Sequence, residues 1–363
     1  MDAAVRAREG LRGEPASLAA VFASPHHFGA AEGILDAVHE AAGPQAVIGC
    51  IAESVVGDGR EIEEAPAISV WLASLPAAPE TFHLRFEPMT GGGTFTGWPA
   101  DDDAGAYLML ADPFTYPADP FLRALDERVP GSVIVGGMAS GGSGPGGTVL
   151  FRDREVLSDG AVGCRLPVTM VPLVSQGCRP VGRSFTVTRA EGNVIHELAG
   201  EPALDRIRET YASLARPDKE LMASGLHIGR VIDEYKSEHG QGDFLIRAVI
   251  GGDTDNGAIA VGDAIEVGET VQFHVRDAAS ADEDLRSMLD RRDLGGRAAG
   301  ALLFTCNGRG SRLFSTPHHD AALIADQLGV PTAGFFAAGE IGPVGGRNFL
   351  HGFTASLAVF VET

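Results

Sequence analysis

The sequence predicts an α+β (mixed α/β) protein made of repeated βαβ units in mixed sheets flanked by helices, arranged as two pseudo-symmetric halves. Three observations carry this expectation. Three short apolar runs each stop at a turn signal, each is followed by a stretch of helical spacing, and each helix leads into a second apolar run closing on Gly-x-x-Ala.

The first unit starts with Leu18–Ser24, apolar and ending at Ser-Pro. Ala31, Ile34, Leu35 and Val38 then recur at helical spacing, with Gly43 where a C-terminal cap belongs, and the unit closes on Gly49-Cys-Ile-Ala52. The second runs from Ala106–Asp112 through a helix opening at Asp119-Pro120, with Phe121, Leu122, Leu125 and Val129 as its stripe, to Gly136-Gly-Met-Ala139. The third runs from Ala301–Asn307 through a helix opening at Thr316-Pro317, with Ala321, Ile324, Ala325 and Leu328 as its stripe and Gly329 at its end, to Gly334-Phe-Phe-Ala337. About 25 residues separate the first strand's end from the glycine in every copy. A strand, crossover helix and strand of that length make a parallel βαβ unit.

Between the second and third copies the pattern changes. Ser184–Arg189 and Asn193–Leu198 read as strands around a Glu-Gly turn, and a helix is expected from about Pro202 to Leu214. The polar Arg216-Pro-Asp-Lys-Glu stretch marks a domain boundary, giving a tail over 1–16, a first domain over 17–215 and a second over 216–363. Downstream, Leu226–Ile232, Phe244–Ile250, Ala258–Val261 and Val271–Arg276 read as an antiparallel meander, and Ser280–Leu289 as a helix.

Composition narrows the function classes. With 28 Lys and Arg against 49 Asp and Glu, a net charge of −21 disfavours nucleic acid and anionic membrane surfaces as partners. The N-terminal apolar run is too short for a signal peptide or a span, so a cytoplasmic protein is expected. Cys50, Cys164, Cys178 and Cys306 form no CxxC pair, and neither His26-His27 nor His318-His319 has a third ligand at metal spacing, so neither metal nor cofactor is expected.

Five stretches in order, Gly49–Glu63, Cys178–Leu198, Gly268–Ala278, Leu302–Gly310 and Gly334–Thr354, resemble the signature segments of the FIST family, the F-box and intracellular signal transduction proteins. The resemblance spans about Leu18 to Val361. It implies a sensory module that binds a small polar ligand, amino acids among the candidates. The two halves leave no room for an output domain, so the signal would pass to a separate signalling protein.

In open α/β sheets ligands bind beyond the carboxyl ends of the strands. The loops Ser24–His27, Cys50–Gly57, Asp112–Tyr116, Met138–Gly147, Cys306–Ser311 and Ala338–Gly346 should meet there. The candidate ligand-binding residues are Cys50, Glu53, Met138, Ser140, Cys306, Asn307, Arg309, Phe335, Glu340, Asn348 and His351. Arg309 suits a carboxylate and Glu340 an ammonium, unless the two pair with each other and lock their loops. Cys306 is also a candidate nucleophile, with a thiol pKa lowered by the nearby Arg309 and with His318, His319 and His351 in the same half, although no hydrolase signature surrounds it. Two other classes therefore stand beside the sensor: a cysteine-dependent enzyme and a protein-interaction adaptor. Gly141–Gly147 lacks the Lys-Ser/Thr of a P-loop and reads as a loop.

Overall fold

The computed structural model describes residues 1–99, 103–236 and 239–362. The chain forms two compact units, residues 1–174 with 285–363, and residues 175–284. Position 215 lies inside the second unit, between the helices Ala203–Ser213 and Arg216–Ser224.

All three repeats lie in the first unit. Leu18–Ala23 pairs in parallel with Ala46–Ile51, Ala106–Ala111 with Val133–Met138, and Ala298–Cys306 with Thr332–Ala337. The crossover helices are Ala31–Ala42, Ala118–Arg128 and His319–Leu328. Gly43 and Gly329 end the first and third in left-handed backbone, where a residue without Cβ fits best. The repeated glycine has a steric cause. Gly49, Gly136 and Gly334 sit opposite Val21, Met109 and Leu303, and a Cβ on any of them would fall within 2.0 Å of that partner's carbonyl oxygen.

Beyond each Gly-x-x-Ala the chain leaves its own sheet. Repeat 1 sends the hairpin Val55–Gly57/Arg60–Ile62 to the second strand of repeat 3. Repeat 2 sends Leu150–Arg152/Glu155–Leu157 to that of repeat 1, and repeat 3 sends Glu340–Val344/Arg347–His351 to that of repeat 2. Each chain segment then comes home: Ile68–Ala73, Ala161–Leu166 and Thr354–Val361 pair antiparallel with the leading strand of their own repeat. The result is a ring of three mixed sheets, each completed by a neighbour's hairpin. This three-way relation inside one unit, which the second unit does not share, is the pseudo-symmetry of the molecule.

Strand alternation sorts the side chains. Leu18, Ala20 and Phe22, Leu108 and Leu110, and Leu302 and Phe304 join one central cluster, in which Phe22, Phe304 and Phe335 have ring centroids 5.2 to 6.4 Å apart. Ala19 and Val21, Tyr107 and Met109, and Leu303 face outward onto the stripes of their own crossover helices.

The second unit is a closed antiparallel barrel. Its strands run in the order Cys178–Glu191, Thr270–Arg276, Leu226–Val231, Phe244–Asp253, Ala258–Val261 and Val194–Leu198, and the last pairs back with the first. Phe185, Ile195, Ile228, Val261 and Phe273 fill it. No described helix is long and apolar enough to cross a membrane.

Candidate functional site

The registers align the three repeats residue by residue at the carboxyl ends of their strands. Three positions beyond Val21, Met109 and Leu303 stand Ser24, Asp112 and Cys306. The hairpin residue opposite the position after each repeated glycine is Leu150 against Cys50, Glu340 against Gly137 and Val55 against Phe335. Val55 and Leu150 are buried core residues, and Glu340 is a fully buried carboxyl in the same place. A carboxyl where the other copies place an aliphatic side chain is costly unless something uses it.

Repeats 1 and 2 satisfy their strand ends internally. Ser24 Oγ accepts the Ala67 N–H at 3.0 Å. The fully buried Asp112 carboxylate accepts Thr115 Oγ1–H at 2.5 Å, Thr148 Oγ1–H at 2.6 Å and, more weakly, the Phe114 N–H at 3.4 Å. Repeat 3 does not close in this way. Glu340 Oε2 accepts the N–H of Thr354 at 3.0 Å and its hydroxyl at 2.8 Å, but Oε1 is buried with no hydrogen-bond partner. Burial pushes this carboxyl up to about 8.

Arg309, 1% exposed, donates from Nε and Nη2 to the two oxygens of Asp320 at 2.7 and 2.8 Å and lies over the Phe314 ring at 5.2 Å, while Nη1 has no partner. Asp320 also accepts from Thr305 Oγ1 at 2.8 Å and touches His319 Nδ1 at 3.0 Å. Although its complete burial raises the carboxyl's pKa, the guanidinium and these neighbours outweigh that effect and hold it well below the usual range. Glu61, from the hairpin of repeat 1, accepts the Ala321 N–H at the start of the third crossover helix. Its Oε2 is buried without a partner, and burial together with the charge of Asp320 lifts it to about 7.

Two expectations are corrected here. Arg309 does not present an open fork, and it does not pair with Glu340, because Asp320 occupies the bidentate face. The Cys306 thiol is not activated. It is 6% exposed, and burial together with the neighbouring Glu340 pushes it well up. The Gly308 N–H points at its sulfur from 3.4 Å. Phe353 beside it holds a left-handed φ of 64°, unusual for a non-glycine residue.

The other expected residues separate into groups. Glu53 pairs with Arg312, whose Nη1 donates to the Asn307 carbonyl at 2.7 Å. The Glu53 N–H donates to Ser140 Oγ at 2.8 Å, and Ser140 donates to the Phe336 carbonyl. The main chain of Met138 exchanges bonds with Ala338 and Gly339, so the three closing loops do meet. His351 stands opposite Glu340 in the hairpin, with Nε2 2.9 Å from the Gly342 carbonyl. Cys50 and Phe335 belong to the central apolar cluster. Asn348 is spent elsewhere, on Asp126, Ser132 and the Ile134 N–H, where it pins the hairpin of repeat 3 to repeat 2.

Sequence reasoning missed Asp320, Glu61, Thr305 and Thr354. The faint signal for Asp320 is an acid in the first turn of a helix eleven residues after a strand-end arginine. Among the described residues no group of three His, Cys, Asp or Glu side chains could hold a metal ion. The first unit also has clefts of about 980 Å³, floored by Trp71 and Phe360, and about 640 Å³, between Gly105 and Pro167. Neither includes Cys306, Arg309 or Glu340.

Residues 17–201 match the FIST N domain and residues 203–343 the FIST C domain. An uncharacterized protein of Mycobacterium tuberculosis is 50% identical over 366 residues, covering 99% of this chain and 95% of its own. An uncharacterized protein of Mycobacterium bovis is 49% identical over 367 residues, covering 100% and 95%.

Proposed function

The chain belongs to the FIST family, whose domains are associated with signal transduction, and from that premise we propose that it is a sensory protein that binds a small polar metabolite, amino acids among the candidates, at the Cys306–Arg309–Glu340 cluster. The signal passes to a separate partner protein, and we place the protein in the cytoplasm, in keeping with four free, buried cysteines.

One observation carries this reading. Two buried polar atoms from adjoining loops, Nη1 of Arg309 and Oε1 of Glu340, have no partner in the third repeat, at a strand end that the other two repeats close with their own side chains. A buried polar group left unsatisfied costs about 1–3 kcal/mol, so two together are a standing deficit that a bound molecule relieves. The cysteine enzyme has less support, because a thiol held neutral by burial is a poor nucleophile.

Native mass spectrometry of freshly purified protein, with identification of any small molecule released on denaturation, tests the proposal. A stoichiometric adduct present in the wild type and lost in Glu340→Leu is expected. An adduct that survives this substitution, or turnover abolished by Cys306→Ser, would refute it.

A further inference from the structure

Taking the cluster as the binding site, we propose that its ligand is a small carboxylate, one oxygen of which accepts a hydrogen bond from Arg309 Nη1 and another from a proton on Glu340 Oε1, and that Glu340 does not bind an ammonium group.

Glu340 Oε2 already accepts two hydrogen bonds from Thr354, so it is the carbonyl-like oxygen of the acid and the proton belongs on Oε1. The carboxyl is fully buried, and its raised pKa keeps that proton in place at neutral pH. Oε1–H and Arg309 Nη1–H are then both buried donors with no oxygen or nitrogen acceptor, with the Cys306 thiol lying against the Glu340 carboxyl. The Gly308 N–H donates to the sulfur of Cys306 at 3.4 Å. The two unpartnered atoms are therefore both donors, and each needs an acceptor. An ammonium group would bring three more donors, whereas a carboxylate brings only acceptors.

The second repeat supplies the missing piece internally. At the position of Cys306 it has Asp112, whose carboxylate takes two hydroxyl donors and a backbone N–H. In the third repeat a thiol stands there instead, and the ligand's carboxylate does in solution what the Asp112 side chain does by covalent attachment.

The ionisable groups facing Glu340 are few. Cys306 and Arg309 come from the leading strand and its loop, with Asp320 behind Arg309, and His351 stands across the hairpin. The neighbouring strand places Gly137 there and the return strand Thr354.

Isothermal titration of the full chain with propionate, L-alanine and ethylamine, at pH 6.5 and pH 9.0, tests the proposal. Propionate and L-alanine should bind and ethylamine should not, and wild-type affinity for propionate should fall about tenfold per pH unit above pH 8 as Glu340 loses its proton. Glu340→Gln, whose amide puts an N–H in place of the acid O–H and keeps an acceptor for Thr354, should retain propionate binding at pH 9.0. Ethylamine binding that strengthens with pH and disappears in Glu340→Gln would overturn the carboxylate while leaving the site itself in place. No response to any probe would also overturn it, and the site would fall with it only if Glu340→Leu leaves a co-purifying adduct unchanged.

Discussion

The carboxyl end of the leading strand in repeat 2 and its counterpart in repeat 3 share a backbone and differ in closure. In repeat 2, Asp112 and two threonines satisfy one another, and Leu150 joins the central apolar cluster. In repeat 3, Asp112 becomes Cys306 and Leu150 becomes Glu340, the nearby Arg309 is neutralised by an acid from the following helix, and Arg309 Nη1 and Glu340 Oε1 are left without partners. Both ends are buried, so solvent access does not distinguish them. The acid does: in repeat 2 the Asp112 carboxylate is fully hydrogen-bonded, and in repeat 3 Glu340 Oε1 is left without a partner.

The largest expected effect separates the two ends by their charges. Asp320→Ala strands the Arg309 guanidinium in the core and should cost about 3–5 kcal/mol, whereas Asp112→Ala frees neutral hydroxyls and should cost about 1–3 kcal/mol. Urea denaturation of both variants measures this, and equal losses would remove the distinction.

The shared backbone predicts sameness. Gly49→Ala, Gly136→Ala and Gly334→Ala each drive a methyl into the facing carbonyl and should each cost roughly 2–3 kcal/mol, at the upper end of overpacking. A tolerated alanine at one position would show that the three sheets are not equivalent there.

A smaller effect appears only on titration. Glu340 and Glu61 have native values raised to about 8 and about 7 from an ordinary 4.5. The native state thus holds protons that the unfolded chain has lost, and stability should fall as pH rises from about 5 through 8, by at most about 1.4 kcal/mol per pH unit per group. Glu340→Gln should flatten the upper part of that fall and Glu61→Gln the lower part. An unchanged slope in both would mean that the carboxyls are ionised in the native protein.

The smallest difference concerns the thiols. Iodoacetamide at pH 7.5 should modify native Cys306 slowly, within about tenfold of Cys164, because burial keeps both protonated. Rapid, selective labelling of Cys306 would restore it as a nucleophile.

Local pattern was enough for the units themselves. Apolar runs, helical stripes and cap glycines are nearest-neighbour signals, and they placed all three parallel pairs correctly, together with the first three strands of the expected meander; its fourth, Thr270–Arg276, pairs with the first strand, Leu226–Val231, instead of the third. The same reading put the loops of Cys306, Arg309 and Glu340 at one sheet edge, whereas Glu340 lies on a strand that pairs with the second strand of repeat 2.

What the sequence determined by itself was therefore the repeat and its parallel strands. Only the tertiary structure decided that each hairpin completes a neighbour's sheet, that Arg309 binds Asp320 instead of Glu340, and that Asn348 is spent on Asp126, Ser132 and Ile134. Periodicity records which face of an element is apolar and is silent on which partner covers it. A charged side chain selects among several possible counter-ions by distances of a few ångströms, and those distances exist only once the ring of three sheets has closed.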